Sequence, residues 1–382
     1  MGRTVLLSDL HMGAGGPREQ FRADAALAAQ LEIFAADPAV SDLVLLGDTF
    51  DLSGGSSPVA RPGAVDRLRD VLKAHPDVVA SLRSVVRHGV RLHVVHGNHD
   101  VELAGEHVQA RLRTALATQD TGVVRFLPWL YHVPGLLLAE HGNQHHDLNA
   151  FDTVLQPLSG GGCVVPEPFG GQLSRLRDRH AGAAVLPRAA WAAARETVRL
   201  YGPTRRARRA AYRRELLPRY AVEVGLAEEC VLLLDQLGQH HPAAIMARLV
   251  RQTLNRKDPG YLIGAAQAAR DALAHAAPPF LVMGHGHAAD ARLLSSASSD
   301  TPVVYLNTGP WSARGPRSRD TTLPPVTTTW VEIEPARGGA AARARVLHRS
   351  GDGARTVLAE ADATGHVVRA RAPQLRTVVR QG

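Results

Sequence analysis

The chain has 382 residues, 45% of them hydrophobic and 21% charged, which excludes a wholly disordered protein. It has no run of about 18 apolar residues for a spanning helix and no charged, apolar, small-residue leader pattern, so a cytoplasmic protein is expected. The net charge of +8 is uneven: residues 1–149 carry 13 basic and 17 acidic side chains, residues 170–260 carry 17 basic and 8 acidic. All but two of the 44 basic side chains are arginine. The two cysteines, Cys163 and Cys230, cannot make a disulfide framework and read as free thiols.

In chain order, Arg3–Leu7 reads as a buried strand that opens into Ser8-Asp9-Leu10-His11. Arg22–Phe34 is Ala-rich and helical in pattern. A strand at Leu43–Leu46 ends at Gly47-Asp48, and helices follow at Val65–Leu72 and Val78–Val86. Arg91–Val95 ends at His96-Gly97-Asn98-His99-Asp100, and Leu136–Ala139 ends at Glu140-His141-Gly142. Residues 151–279 break the alternation. Gly160-Gly161-Gly162 and Pro166–Gly171 are loop material, and Leu173–Ala277 reads as several Ala-, Leu- and Arg-rich helices. Phe280–Met283 ends at Gly284-His285-Gly286-His287, and Val303–Leu306 ends at Asn307-Thr308-Gly309. Thr328–Ile333 and Ala344–Leu347 are late strands; the tail, with Val367-Val368 and Val378-Val379, reads as a last hairpin or a mobile end. The expected organisation is a core in two parts, 1–150 and 280–336, an Arg-rich helical insertion at 151–279 that can serve as a lid, and an Arg/Ala-rich segment at 337–382.

Each apolar strand carries polar residues just past its carboxyl end, where α/β sheets form ligand sites. In order these are Asp9-x-His11, Gly47-Asp48-x-x-Asp51, Gly97-Asn98-His99-Asp100, His141 and Gly284-His285-x-His287. Carboxylate, imidazole and amide oxygen together suit divalent cations. Glycine beside the donors lets the backbone approach closely. One Asp-x-His pair would mean little; five such elements in this order, each at a strand end, point to a metal centre.

These five motifs resemble the calcineurin-like metallophosphoesterase superfamily, over residues 1–150 and 280–310. The resemblance implies an α/β (α+β) four-layer sandwich, two mixed β-sheets flanked by helices, with two divalent metal ions at one end. Mn²⁺ is the expected metal, and Fe or Zn²⁺ also suit the donors. By the resemblance Asp9, His11 and His287 bind the first ion, Asp48 bridges both, and Asn98, His141 and His285 complete the second. A hydroxide held between the ions would attack phosphorus in line. His99 resembles the histidine that protonates the leaving oxygen. Asp51 would orient it; Asp100 is the alternative orienter, or a loop cap. Leu52 stands where the Ser/Thr protein phosphatases place an Arg-Gly, and Asp100 stands for their Glu, which argues against that branch. Ser8–Gly13 and Glu140-His141-Gly142 are similar to bacterial UDP-2,3-diacylglucosamine pyrophosphatases. One branch of that group has Arg where this chain has His99, so the likeness is to the broader phosphodiesterase type.

Other residues carry weaker signals. His145 and His146 follow His141 closely enough to face the cleft as substrate contacts. His96 is expected behind the ligands or in the core, His93 within a strand, and His240-His241 on the surface. Arg205, Arg209 and Arg213 recur every four residues and would share a helix face. That face is solvated, or meets an anionic lipid or other phosphate-rich surface, or tracks a nucleic-acid backbone. The leading expectation is hydrolysis of a phosphodiester or pyrophosphate. A nuclease, a phosphomonoesterase and a metal-free scaffold are the alternatives; the complete ligand set argues against the last.

Overall fold

The computed structural model describes residues 2–16, 19–52, 63–146, 149–151, 211–237, 260–295, 301–311, 328–350 and 353–369. The first half supplies β1 (Arg3–Leu7), α1 (Asp24–Ala36), β2 (Val40–Leu46), α2 (Ala64–Ala74), α3 (Pro76–Arg87), β3 (Arg91–Val95), α4 (Glu106–Ala115), β4 (Val124–Leu127), β5 (Leu130–Val133) and β6 (Leu137–Glu140). The second supplies α5 (Leu217–Val224), α6 (Glu228–Leu237), α7 (Tyr261–Leu273), β7 (Phe280–Met283), β8 (Asp290–Leu294), β9 (Val303–Asn307), β10 (Thr328–Glu334), β11 (Arg343–Arg349), β12 (Arg355–Asp362) and β13 (Val367–Arg369).

The strands form two mixed sheets. The larger has the order β13-β12-β11-β10-β1-β2-β3-β4, the smaller β5-β6-β7-β9-β8. In the larger, β1 to β4 run parallel, and β10 to β13 are an antiparallel meander joined to β1. In the smaller, β6, β7 and β9 are parallel, with β5 and β8 antiparallel at its edges. The expected boundary at 336/337 therefore falls between two paired strands of one sheet.

Strand periodicity sets the layers. In β1, Val5 and Leu7 face α1 to α4, while Leu6 faces the second sheet; in β2, Leu43 and Leu45 part in the same way from Val44 and Leu46. In β7, Phe280 and Val282 fill the space between the sheets, while Leu281 and Met283 meet α5 to α7. Both faces of β1, β2 and β7 are covered, so these strands read as continuous apolar runs without alternation. The helices follow the same logic. Pro76 opens α3, Asp77 sits in its first turn and Arg87 in its last, and Val78, Leu82 and Val85 form its buried stripe.

The described helices of the expected insertion are the fourth layer of the sandwich. Leu217, Tyr220, Val231, Leu262, Ala266 and Leu273 pack on the outer face of the smaller sheet. Tyr220 also accepts a 2.8 Å hydrogen bond from the Leu130 N–H. Gly160-Gly161-Gly162, His240-His241, Cys163 and Val378-Val379 lie outside the described residues; Cys230 on α6 is a free thiol. Among the described residues no helix is long and apolar enough to cross a membrane.

Candidate metal centre

The parallel strands β1, β2 and β3 of one sheet and β6 and β7 of the other end at the same edge of the sandwich. Their following loops bring Asp9, His11, Asp48, Asn98, His141, His285 and His287 together. The local backbone is unusual: Asp9, His11, Asp48, His285 and His287 all have φ between 50° and 58°, in the left-handed region. They are five of the seven non-glycine residues with positive φ among the described residues. Such conformations cost energy and persist only where the surroundings impose them. Close packing does so here. A Cβ on Gly97 would come within 2.6 Å of the Asp48 nitrogen and 2.8 Å of the His141 ring.

Side-chain atoms fall into three groups, each within 4.8 Å: Asp9, His11 and His287; His11, Asp48 and His99; Asp48, His141 and His285. His287 Nε2 lies 3.2 Å from Asp9 Oδ1, and His11 Nε2 lies 3.3 Å from His287 Nε2. Asp48 Oδ2 is 3.2 Å from His141 Nε2 and 3.8 Å from His11 Nε2, so one carboxylate oxygen serves two neighbouring groups. The opposite faces of these donors are tied down. His141 Nδ1 donates to the Leu46 carbonyl at 2.9 Å, which turns the Nε2 lone pair inward. Asp9 Oδ2 accepts from Ser8 Oγ and from the His285 N–H at 3.0 Å, and Ser8 Oγ is 2.5 Å from Thr308 Oγ1. Asn98 Oδ1 and His285 Nδ1 are buried without a hydrogen bond. Buried polar atoms are seldom left so; with two carboxylates and neutral imidazoles they form a donor set that fits divalent cations.

The electrostatics are divided. Burial opposes ionisation of Asp9 and Asp48, yet the imidazoles hold both carboxyls below the usual range, His287 acting on Asp9 and His141 and His99 on Asp48. Burial and then the His99 charge push His11 down to about 4, and burial with His141 holds His285 well down. For His141 burial opposes the charged form, but Asp48 overrides it and raises the imidazole to about 10. The cluster therefore holds protons that a cation would displace.

His99 stands apart, a third of its side chain exposed. Its N–H donates to Asp48 Oδ1 at 2.8 Å, and its Nδ1 lies 3.2 Å from Asp51 Oδ1. Burial opposes its charge, but Asp48 and Asp51 raise it to about 9. Asp100 is turned the other way. Its carboxylate accepts the N–H groups of Gly97 (2.7 Å), Thr49 (2.8 Å), Phe50 (3.2 Å) and Asp48 (3.3 Å), locking two ligand loops together. His145 is buried against Glu140 at 2.8 Å, and Trp129 Nε1 donates to the same carboxylate. His146 faces the centre, its ring 5.5 Å from that of His285 and 5.4 Å from that of Tyr261. His96 is buried and is pushed down to about 4 by that burial. Arg213 lies 3.4 Å from Asp235, and Arg205 and Arg209 lie outside the described residues. Sequence reasoning did not single out Ser8 with Thr308, or Asn149, whose side chain meets His285. Ser8 and Thr308 each sit beside a strand-end motif, the one signal that marks them.

The family model described as calcineurin-like phosphoesterase matches residues 2–181. Among solved structures the chain is similar to Vps29 of Chaetomium thermophilum, with 8% identity, 96% of this chain and 100% of that chain covered, and a TM-score of 0.31. The comparison with curated proteins returned no match. The matched stretch, residues 2–181, begins at β1 and carries five of these seven donors, so this part of the chain is similar to the calcineurin-like phosphoesterases.

Proposed function

We propose that the protein is a dinuclear metal-dependent phosphoesterase that hydrolyses a phosphodiester or pyrophosphate, with His99 protonating the leaving oxygen. Asp48 carries the reading: its Oδ2 faces both His11 and His141, so one carboxylate joins two donor groups. Asp9, His11 and His287 would hold one cation, Asn98, His141 and His285 the other, and Asp48 both; Mn²⁺ is the ion we expect, with Fe or Zn²⁺ as substitutes. When bound, two such ions polarise phosphate oxygens and make water more acidic. The chain's own residues supply the rest. Asp48 fixes the backbone of His99, and Asp51 holds Nδ1, which leaves Nε2–H as the proton to give up. In the metal-free chain Asp48 and Asp51 raise this imidazole, which favours the protonated form that an acid needs. Leu52 is apolar and buried beside Asp51, so no guanidinium at that position grips a terminal phosphate dianion.

The test is hydrolysis of a chromogenic phosphodiester and its matching monoester by Mn²⁺-loaded protein. Diester cleavage is expected, lost with chelator. His99→Ala is expected to lower kcat by about 10²–10⁴-fold with metal content unchanged. Faster monoester cleavage overturns the diester preference. Absence of both metal uptake and turnover overturns the whole reading.

A further inference from the structure

The segment after His141 folds back on itself. Asn143 Nδ2 donates to the Asn149 carbonyl at 3.0 Å, and the Asn149 N–H donates to the His146 carbonyl at 2.9 Å. Gln144 and Phe151 exchange two bonds: Gln144 Nε2 donates to the Phe151 carbonyl at 3.0 Å, and the Phe151 N–H donates to Gln144 Oε1 at 2.6 Å. Asn143, Gln144 and Phe151 are all buried. These bonds deliver the Asn149 carboxamide to His285, with its Nδ2 placed 3.1 Å from Nε2. On the other side of that ring, Nδ1 is buried and has no hydrogen bond.

A carboxamide presents nitrogen or oxygen to the same place after a half-turn of its last bond. If nitrogen donated to Nε2, the ring proton would sit on Nδ1, and the buried side toward the cluster would offer a proton where a cation needs a lone pair. If oxygen accepts from Nε2–H, the Nδ1 lone pair faces the cluster. We infer that Asn149 is a positioning residue for His285: its carboxamide oxygen accepts Nε2–H and thereby sets Nδ1 as the donor to a cation. This rests on the reading of His285 as a metal ligand. The bonds among residues 142–146 and 149–151 then have a use, since they hold the outer partner of one ligand close in sequence to another ligand, His141.

Calorimetric titration of Mn²⁺ into the full chain tests this with Asn149→Leu and Asn149→Asp. Leucine keeps the volume and removes the acceptor, and one of the two affinities is expected to fall about 10–100-fold. Aspartate keeps an oxygen acceptor, and its affinity is expected within a few-fold of the parent or tighter. Equal loss in both variants, or no loss with leucine, overturns the inference. Nitrogen-15 NMR of the metal-free parent, with His285 assigned by His285→Gln, is expected to show the Nε2–H tautomer. The Nδ1–H tautomer overturns the inference and decides it even if Asn149→Leu does not fold. A parent that binds no Mn²⁺ overturns the proposed function; with Mn²⁺ bound, a failed Asn149 prediction removes only this inference.

Discussion

Two aspartates on or beside β2, Asp42 and Asp48, are both buried against histidine, and both have carboxyls held below the usual range. Asp42 lies near the start of the strand. Its oxygens take Arg91 Nε and NH2 at 2.8 Å each, His93 Nε2 at 2.7 Å and Ser41 Oγ at 2.7 Å. Asp48 follows the end of the strand, in the left-handed region. Its Oδ1 is bonded to a backbone N–H, and its Oδ2 faces the Nε2 atoms of His141 and His11. A buried His–Asp pair with a depressed carboxyl is thus found at both ends of one strand. What separates the candidate centre is convergence: donors from five strand ends, two rings on one oxygen, and left-handed backbone at five of the seven donors.

The sharpest way to break that comparison is to neutralise each aspartate. Asp48→Asn is expected to reduce chelator-sensitive phosphoester hydrolysis to background in a chain that still folds by circular dichroism. Retained turnover would show that the shared oxygen is dispensable. Asp42→Ala strips the partner from buried His93 and from half-exposed Arg91 and is expected to cost about 1–3 kcal/mol in urea unfolding, with Mn²⁺ uptake intact. Because the folded-state pKa of Asp42 lies below its ordinary 3.8, the unfolded chain binds more protons in that window. The contribution of Asp42 is therefore present above about pH 4 and lost as pH falls through the folded-state value. The stability gap between parent and variant is expected to narrow on that acid side, and a pH-independent gap would refute the ionic account. The smallest effect concerns strain. His287→Gly frees a left-handed residue, a relief of about 1–2 kcal/mol that is partly offset by glycine's larger unfolded-state entropy. Metal-free stability is expected to equal the parent's or exceed it by up to about 1 kcal/mol while Mn²⁺ uptake drops. A clear loss of stability would show that the 3.2 Å contact of His287 with buried Asp9 outweighs the strain.

Much of this organisation is legible in the residues. The strand ends that carry Asp9, Asp48, Asn98, His141 and His285 each follow an apolar run, and β3 and β7 have the bounds expected of them. The short strands β4 and β5 are hidden by the Pro128-Trp129 break between them, and β8 and β12 carry too many polar residues to stand out, whereas Val367-Val368 marks β13, which pairs with β12. The role of α5 to α7 is hidden for a different reason: composition marks helices, but which sheet face they cover depends on Leu138, Leu281 and Tyr305, far away in sequence. Asp100 illustrates the same limit. Its work is done on backbone N–H groups of another loop, and a backbone donor leaves no trace in residue type.

The donors divide between the sheets. Asp9, His11, Asp48 and Asn98 follow strands of the larger sheet, and His141, His285 and His287 follow strands of the smaller. In the metal-free chain the seam at this edge is bridged by contacts such as His141 to the Leu46 carbonyl. A cation held by donors from both sides would rivet the two layers, so that metal supply and fold stability become one quantity. At a free concentration a hundred times its dissociation constant, such a ligand adds about 2.7 kcal/mol to the native state. For a chain whose ligand loops hold left-handed backbone, that margin ties the lifetime of the fold to the metal its chemistry would use.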